Sequence, residues 1–186
     1  DSDTKVYDGT ALTNSGYTNT ALATGDHIQS VTVTGSQTVV GTSNNVPSAA
    51  VIKNASDEDV TACYDITYAN GTLEVTQKPL TITAGDSSKV YDGSYLTKNS
   101  YTHTDLAAGD SLWSVTITGK NALVGENSNV PSDAVIKNTE GDPVTNSYNI
   151  HYVNGTLRIK VKALTITTRD SSKVYDGTEL ICHTYT

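Results

Sequence analysis

The residues that could do chemistry begin with a pentapeptide, Lys-Val-Tyr-Asp-Gly, that recurs along the chain. It starts at Lys5, Lys89 and Lys173. In the middle occurrence, the carboxylate of Asp92 could contact a sugar hydroxyl or a metal ion. Asp-Gly is also a common turn pair, and a tyrosine beside it can close the end of a sandwich with its hydroxyl hydrogen-bonded. We favour the turn, and interpret Lys89, Tyr91, Asp92 and Gly93 as a structural motif.

Two other groups of residues have the chemistry of metal ligands. Asp57, Glu58 and Asp59 could supply carboxylates to calcium, but the chain reads Gly-Asp-Pro from Gly141, at the matching place after the next pentapeptide. The histidines are His27, His103, His151 and His183. None of them has a histidine at the matching position of a neighbouring copy, so they form no metal or catalytic pattern. We predict no metal ion and a solvated acidic loop.

Catalysis within this chain is not expected. No pair of nucleophile and base recurs, and no pair of carboxylates is placed by a pattern, so we predict neither catalytic residues nor a cofactor. Cys63 and Cys182 form no spaced framework, since Ser147 and Lys98 stand at the matching positions. We assign the two cysteines no function.

A covalent bond between a lysine and an asparagine side chain is a further possibility. Repeated lysines are Lys5/Lys89, Lys53/Lys137 and Lys78/Lys162, and repeated asparagines are Asn45/Asn129, Asn54/Asn138 and Asn70/Asn154. The reaction needs a desolvated lysine beside a neutral carboxyl. The polar surroundings of these residues argue against it, and an intact mass equal to that of the sequence would eliminate it.

One aromatic residue, Trp113, stands out because Gln29 occupies the matching position in the preceding copy. An exposed tryptophan would offer a platform for a sugar ring. Trp113 lies beside an alternating, strand-like segment, and tryptophan suits a half-buried sheet. We therefore expect burial, and keep Trp113 as a candidate glycan contact.

The elements that would position these residues belong to a long internal repeat, whose period is the constant step from Lys5 to Lys89 and from Lys89 to Lys173. The step holds without insertion, from LATGD at Leu22 and LAAGD at Leu106 to YDITYANGTLEV at Tyr64 and YNIHYVNGTLRI at Tyr148. This period is too long for one solenoid unit and suits a complete small β-sandwich. We divide the chain into copy 1 (residues 1–77), which lacks its first strand, copy 2 (78–162), which is complete, and a stub of a third copy (163–186).

The composition and the alternation of residues favour strands. The chain has no Phe or Met, eleven Tyr and a hydrophobic fraction of 36%, and LTIT at Leu80 and TLRIKV at Thr156 alternate with period two. Asn154-Gly155 lies between two such runs and predicts a hairpin. We expect tandem, antiparallel Ig-like sandwiches; a β-grasp repeat is the alternative, but only residues 104–109 could begin its helix.

The joint between copies and the net charge limit the partners. Gln77, Lys78 and Pro79 alone separate the strands of adjacent copies, so we expect an elongated rod in which neighbouring repeats contact each other. A formal charge of −8 without a basic run argues against nucleic acid. No apolar stretch approaches the roughly 18 residues of a spanning helix, so we expect no membrane insertion.

LTITAGDSSKVYDG, the central LAAGD and VTITG, and the terminal NSYNIHYVNGTLRI together resemble the MBG/YDG-type repeats of bacterial cell-surface adhesins. The resemblance covers copy 2 and most of copy 1. It implies Ig-like domains outside the cell, as part of a larger secreted or wall-anchored protein. The expected role is a stalk that holds an adhesive domain away from the cell. The alternatives are a module binding host mucin, glycan or surface protein, and an accessory role beside a surface hydrolase.

Overall fold

A computed structural model describes residues 1–181, and these are almost entirely β. The strands of copy 1 are β1 (Asp3–Val6), β2 (His27–Thr34), β3 (Gly41–Lys53) and β4 (Gly71–Thr76). The later strands are β5 (Lys78–Ala84), β6 (Ser87–Val90), β7 (Tyr101–His103), β8 (Ser111–Thr118), β9 (Gly125–Lys137), β10 (Tyr148–Val153) and β11 (Gly155–Lys160). Two 3-10 helices, Thr61–Cys63 and Thr145–Ser147, are the helical elements of this part of the chain, and neither could cross a bilayer. The predicted all-β class is confirmed, and residues 104–109 form no helix.

The strands form where apolar residues alternate with polar ones. In β5, Leu80, Ile82 and Ala84 are buried, and in β11, Leu157 and Ile159 are buried between exposed neighbours. Alternation with period two places these side chains on one face of a pleated sheet, and β-branched residues favour that conformation. The apolar faces of β5 and β11 therefore point toward the core.

The strands form three sheets. Copy 1 contributes a four-stranded sheet in the order β1-β4-β3-β2, and copy 2 contributes its counterpart, β6-β11-β9-β8. Copy 2 also has a three-stranded sheet in the order β10-β5-β7. In copy 1, residues 64–69 and 17–19, which match β10 and β7, form no strand. The two copies thus share one sheet but not the other.

The sheets are not purely antiparallel, and that part of the prediction is wrong. β5 pairs with β10 and β6 pairs with β11 in parallel, and β1 pairs with β4 in the same way. Every pair joins residues at one constant separation along the chain, as in Leu80 with Ile150 and Ser87 with Leu157. The start and the end of copy 2 therefore run side by side in one register through both sheets.

The hairpin predicted at Asn154-Gly155 is also wrong. β10 and β11 belong to different sheets, so the chain passes from one sheet to the other at this dipeptide. A Cβ atom on Gly155 would lie 2.5 Å from the carbonyl oxygen of Gly85 and 2.6 Å from that of Ala84. Glycine is needed here for a close approach of two backbones rather than for a tight turn.

One buried cluster crosses the boundary between the copies. It combines Tyr7, Leu12, Leu73 and Val75 of copy 1 with core residues of copy 2. The latter include Leu80, Ile82, Ala107, Ala134, Ile136, Val144 and Tyr148. In copy 2, the residues that match Leu12, Leu73 and Val75 form a separate small cluster. They are Leu96, Leu157 and Ile159. The far end of copy 2 thus has its own apolar centre.

Candidate functional site at the junction between repeats

The Lys-Val-Tyr-Asp-Gly motif forms a hydrogen-bonded loop. Lys89 Nζ donates to Asp92 Oδ1 at 2.7 Å and to Ser94 Oγ at 2.6 Å, while the Ser94 amide donates to the same Asp92 oxygen at 2.9 Å. Gly93 follows with φ +82°, a left-handed conformation that favours glycine. The carboxylate of Asp92 is thus engaged by its own loop.

The same loop occurs in the other copies. Lys5 Nζ donates to Asp8 Oδ1 at 2.7 Å, and Lys173 Nζ donates to Asp176 Oδ1 at 2.9 Å. The pKa of Asp8 and of Asp92 lies well below the usual range, mainly because each carboxylate accepts a hydrogen bond from the lysine of its own loop. The loop therefore keeps its aspartate ionised and turned toward the lysine.

The tyrosine of the motif differs in burial between copy 1 and copy 2. Tyr7 is 3% exposed, whereas Tyr91 is 38% exposed. The ring of Tyr7 packs edge-on against Tyr148 of copy 2, with centroids 5.6 Å apart and planes at 77°. This edge-to-face geometry suits two aromatic rings. The motif tyrosine of copy 1 is thus packed into the next repeat.

The receiving surface of copy 2 is built around Tyr148. Its hydroxyl donates to Asp110 Oδ2 at 2.6 Å and accepts from the Ala107 amide at 2.9 Å. Burial is the main cause that raises the pKa of Tyr148. Burial and the nearby carboxylate of Asp110 also raise the pKa of Tyr7 to about 12. Both phenols therefore stay neutral at physiological pH.

Further contacts lie at the boundary between the two copies. We call this boundary the junction, and it consists of Tyr7, Gly9 and Gln77 of copy 1 and the surface around Tyr148 of copy 2. A Cβ on Gly9 would lie 3.1 Å from the carbonyl oxygen of Ala108, while nothing lies within 4 Å of the same point on Gly93. Gln77 Nε2 donates to the carbonyl oxygen of Asn146 at 3.1 Å. β5 begins almost directly after β4 ends, with Gln77 alone between them.

Trp113 is 67% exposed, so the prediction of burial is wrong. The register between β8 and β9 shifts between Leu112 and Ser114, which makes Trp113 the extra residue of a bulge. Because a shift of one residue exchanges the two faces of a strand, the indole points outward. Lys137 Nζ lies 4.1 Å from the ring centroid, a cation–π contact.

The candidate metal ligands are not brought together. Asp57 pairs with Lys53 at 2.9 Å, and Glu58 accepts from the side-chain amide of Asn54 at 2.9 Å. Within residues 1–181 no group of three or more histidine, cysteine, aspartate or glutamate side chains could hold a metal ion. Cys63 is exposed and free, and Cys182 and His183 lie outside the described residues.

Several of the lysines and asparagines considered for a covalent bond have other contacts. Lys5 and Lys89 bind the aspartates of their own loops. Asn129 is fully buried, and its amide nitrogen donates to the carbonyl oxygens of Gly85 at 3.0 Å and Lys98 at 2.8 Å. Asn45 makes the matching bonds to Asp1 and Asn14. These asparagines tie the backbone together, while Asn154 is exposed.

Sequence reasoning did not identify the residues that receive Tyr7. Tyr148 and Asp110 recur at the fixed offset as Tyr64 and Asp26, and Tyr64 likewise donates to Asp26 Oδ2, at 2.7 Å. The recurrence of both partners was the available signal.

No protein-family model matches the chain, and no curated protein matches it significantly.

Proposed function

We propose that the chain is a spacer of Ig-like sandwich repeats, joined end to end in a stiff rod outside a bacterial cell. The junction carries this proposal, because Tyr7 is buried in a cluster that runs from copy 1 into copy 2. A shared apolar core resists bending far more than a flexible linker does. Two repeats fixed in this way extend the chain in a defined direction.

Small-angle scattering tests the spacer. If each repeat has a radius of gyration of about 12 Å and the two centres lie about 40 Å apart, the radius of gyration of the pair is about 23 Å. One globule of the same total size would have a radius of gyration of about 15 Å. We expect the larger value, and a broader distribution of distances for Tyr7→Ala but not for Tyr91→Ala. A compact profile, or equal behaviour of the two variants, would contradict a stiff junction.

A second candidate function is the binding of a mucin-type glycan or a host surface protein, and the exposure of Trp113 favours it. The indole lies on the outside of β8, and Lys137 beside it could donate to a sugar hydroxyl. Aromatic faces pack well on the apolar face of a sugar ring.

A glycan and mucin array, read with the whole chain, tests this candidate. We expect saturable binding that Trp113→Ala abolishes. Tyr95→Ala is the matched control, because Tyr95 is 65% exposed and also lies beside a lysine, Lys120, at 5.2 Å. Binding lost equally in both variants, or absent from the wild type, would count against a site at Trp113.

A further inference from the structure

Trp113 and Lys137 lie together at an open edge of copy 2. In the part of the chain that the structure describes, β8 is the last strand of its sheet, so no strand flanks Trp113 on the side away from β9. Lys137 Nζ lies 4.1 Å from the centroid of the indole, and Ser111 is opposite Lys137 in the pairing of β8 with β9. A ligand that approaches this edge meets an indole and an ammonium group side by side.

The indole is exposed even though copy 1 is packed nearby. β8 begins directly after the loop that contains Ala107 and Asp110, and this loop belongs to the surface that receives copy 1. With copy 1 in place, Trp113 is still 67% exposed. Lys137 Nζ covers one face of the ring, so the exposed area includes the opposite face. A flat apolar surface is therefore left free for a ligand.

The ammonium group of Lys137 has no anionic partner, in contrast to its counterpart in copy 1. There, Lys53 Nζ donates to Asp57 Oδ1 at 2.9 Å. Gly141 stands at the position that matches Asp57. Among residues 1–181, Lys137 forms no ion pair. The difference leaves a positive charge free beside the indole of Trp113.

The loop that follows Lys137 is organised around Asn138 rather than around the lysine. Asn138 Oδ1 accepts from the backbone amides of Glu140 at 3.1 Å and Asp142 at 2.8 Å. Its side-chain amide donates to Glu140 Oε2 at 3.3 Å. Neither carboxylate forms an ion pair with Lys137. An anionic group of a ligand could therefore take the place that Asp57 has in copy 1.

The two copies also differ in charge. Residues 1–77 contain two lysines and nine acidic residues, whereas residues 78–162 contain eight basic and eight acidic residues. The formal charge of −8 therefore belongs mainly to copy 1. A strongly acidic surface repels an anion, and a neutral surface does not. Copy 2 is thus the copy that suits a negatively charged ligand.

We propose that Trp113 and Lys137 bind an acidic sugar, that is, a pyranose ring that carries a carboxylate or a sulfate group. The apolar face of the sugar packs on the free face of the indole. The flexible stem of Lys137 lets its ammonium group donate to the anionic substituent at the edge of the indole. Copy 1 offers neither contact, because it has Gln29 in place of the tryptophan and its lysine is paired with Asp57. This inference rests on the glycan-binding candidate and names its ligand class.

Fluorescence titration of the whole chain tests the ligand class, because Trp113 is the only tryptophan in the sequence. The probes are sialyllactose, which carries a carboxylate, lactose sulfated on its galactose, and unmodified lactose. We expect a saturable change in which the better acidic probe binds about 5-fold more tightly than lactose, as suits an exposed charge pair. The tighter acidic probe identifies the anionic group.

The failures of this titration are distinguishable. Equal affinity for the three probes would leave a sugar site at Trp113 and overturn the acidic ligand. No change with any probe would overturn the glycan-binding candidate, and this inference with it.

Gly141 allows a matched pair of variants that tests the role of Lys137. Gly141 has φ +87° and Asp57 has φ +65°, and nothing lies within 4 Å of a Cβ atom on Gly141. Aspartate and asparagine tolerate this left-handed conformation better than most residues. Gly141→Asp should restore the ion pair of copy 1 and lower the affinity for the acidic probe to that for lactose.

Gly141→Asn is the control, because it has the same shape and the same backbone conformation without the charge. It should keep the preference of about 5-fold for the acidic probe. An equal loss of affinity in both variants, or a preference that survives Gly141→Asp, overturns the proposal.

Discussion

Copy 1 and copy 2 show how one sequence pattern gives two outcomes. Tyr-x-Ile-x-Tyr occurs at Tyr64 and at Tyr148, yet only the second segment forms a strand, β10. The difference is the pairing: β10 pairs with β5, whereas residues 64–69 pair with no strand in the described part of the chain. Strand formation here is decided by pairing rather than by local propensity.

The largest effect that sharpens this comparison is expected at Ile82. Ile82 is 0% exposed and Ile166 is 68% exposed, so Ile82→Ala should lower the free energy of unfolding by about 2–5 kcal/mol. Ile166→Ala should change it by less than about 0.5 kcal/mol, because its side chain is already largely in water. Urea denaturation followed by circular dichroism measures both, and similar losses would break the comparison.

The next effect is expected at the motif tyrosines. Tyr7→Ala should cost about 3 kcal/mol, because it empties a packed site in the shared core. Tyr91→Ala should cost less than about 1 kcal/mol, because Tyr91 is already partly in water. Calorimetry should show a lower melting temperature for the first variant, and a comparable loss at Tyr91 would mean that the far end of copy 2 is also covered.

A smaller effect is expected where the chain passes from β10 to β11. Gly155→Ala would place a methyl group 2.5 Å from a carbonyl oxygen of Gly85, and overpacking of this kind costs about 1–3 kcal/mol. Gly71 is its counterpart, and a methyl group there would approach the carbonyl oxygen of Asp1 even more closely. Gly71→Ala should therefore be destabilising as well, and chemical denaturation that finds a loss at only one of the two glycines would contradict this.

The smallest effect is expected at the lysine–aspartate loops, and it should be equal in the two copies. The pKa of Asp8 and of Asp92 is lowered in the folded chain. The folded form therefore loses its proton more readily than the unfolded form, and the stability gained above about pH 4 disappears as the pH falls. Asp8→Asn and Asp92→Asn should each flatten the acid side of a plot of melting temperature against pH. A response in one variant alone would show that the loops differ.

The sequence predicted the strands and the turn at Asp92-Gly93, because each of these leaves a local pattern. It did not predict the parallel pairing, because β11 pairs with β6, which lies near the opposite end of the same copy. Asn154-Gly155 is a strong local signal for a hairpin, and it was misread because the close approach to Gly85 is a long-range contact.

The candidate site shows the same limit. Trp113 lies in an alternating segment, and the bulge that turns it outward depends on the pairing of β8 with β9 rather than on neighbouring residues. Tyr7 and Tyr91 stand in identical pentapeptides, so no local pattern distinguishes them. Their different burial depends on whether another repeat packs against them.

The parallel pairing of β5 and β6 with β10 and β11 has a mechanical consequence. Tension applied to copy 2 pulls the start of its first strand and the end of its last strand in opposite directions. Because these strands are parallel and in register over two sheets, the force loads their hydrogen bonds together in shear instead of opening them one by one. A repeat of this design would unfold slowly under load.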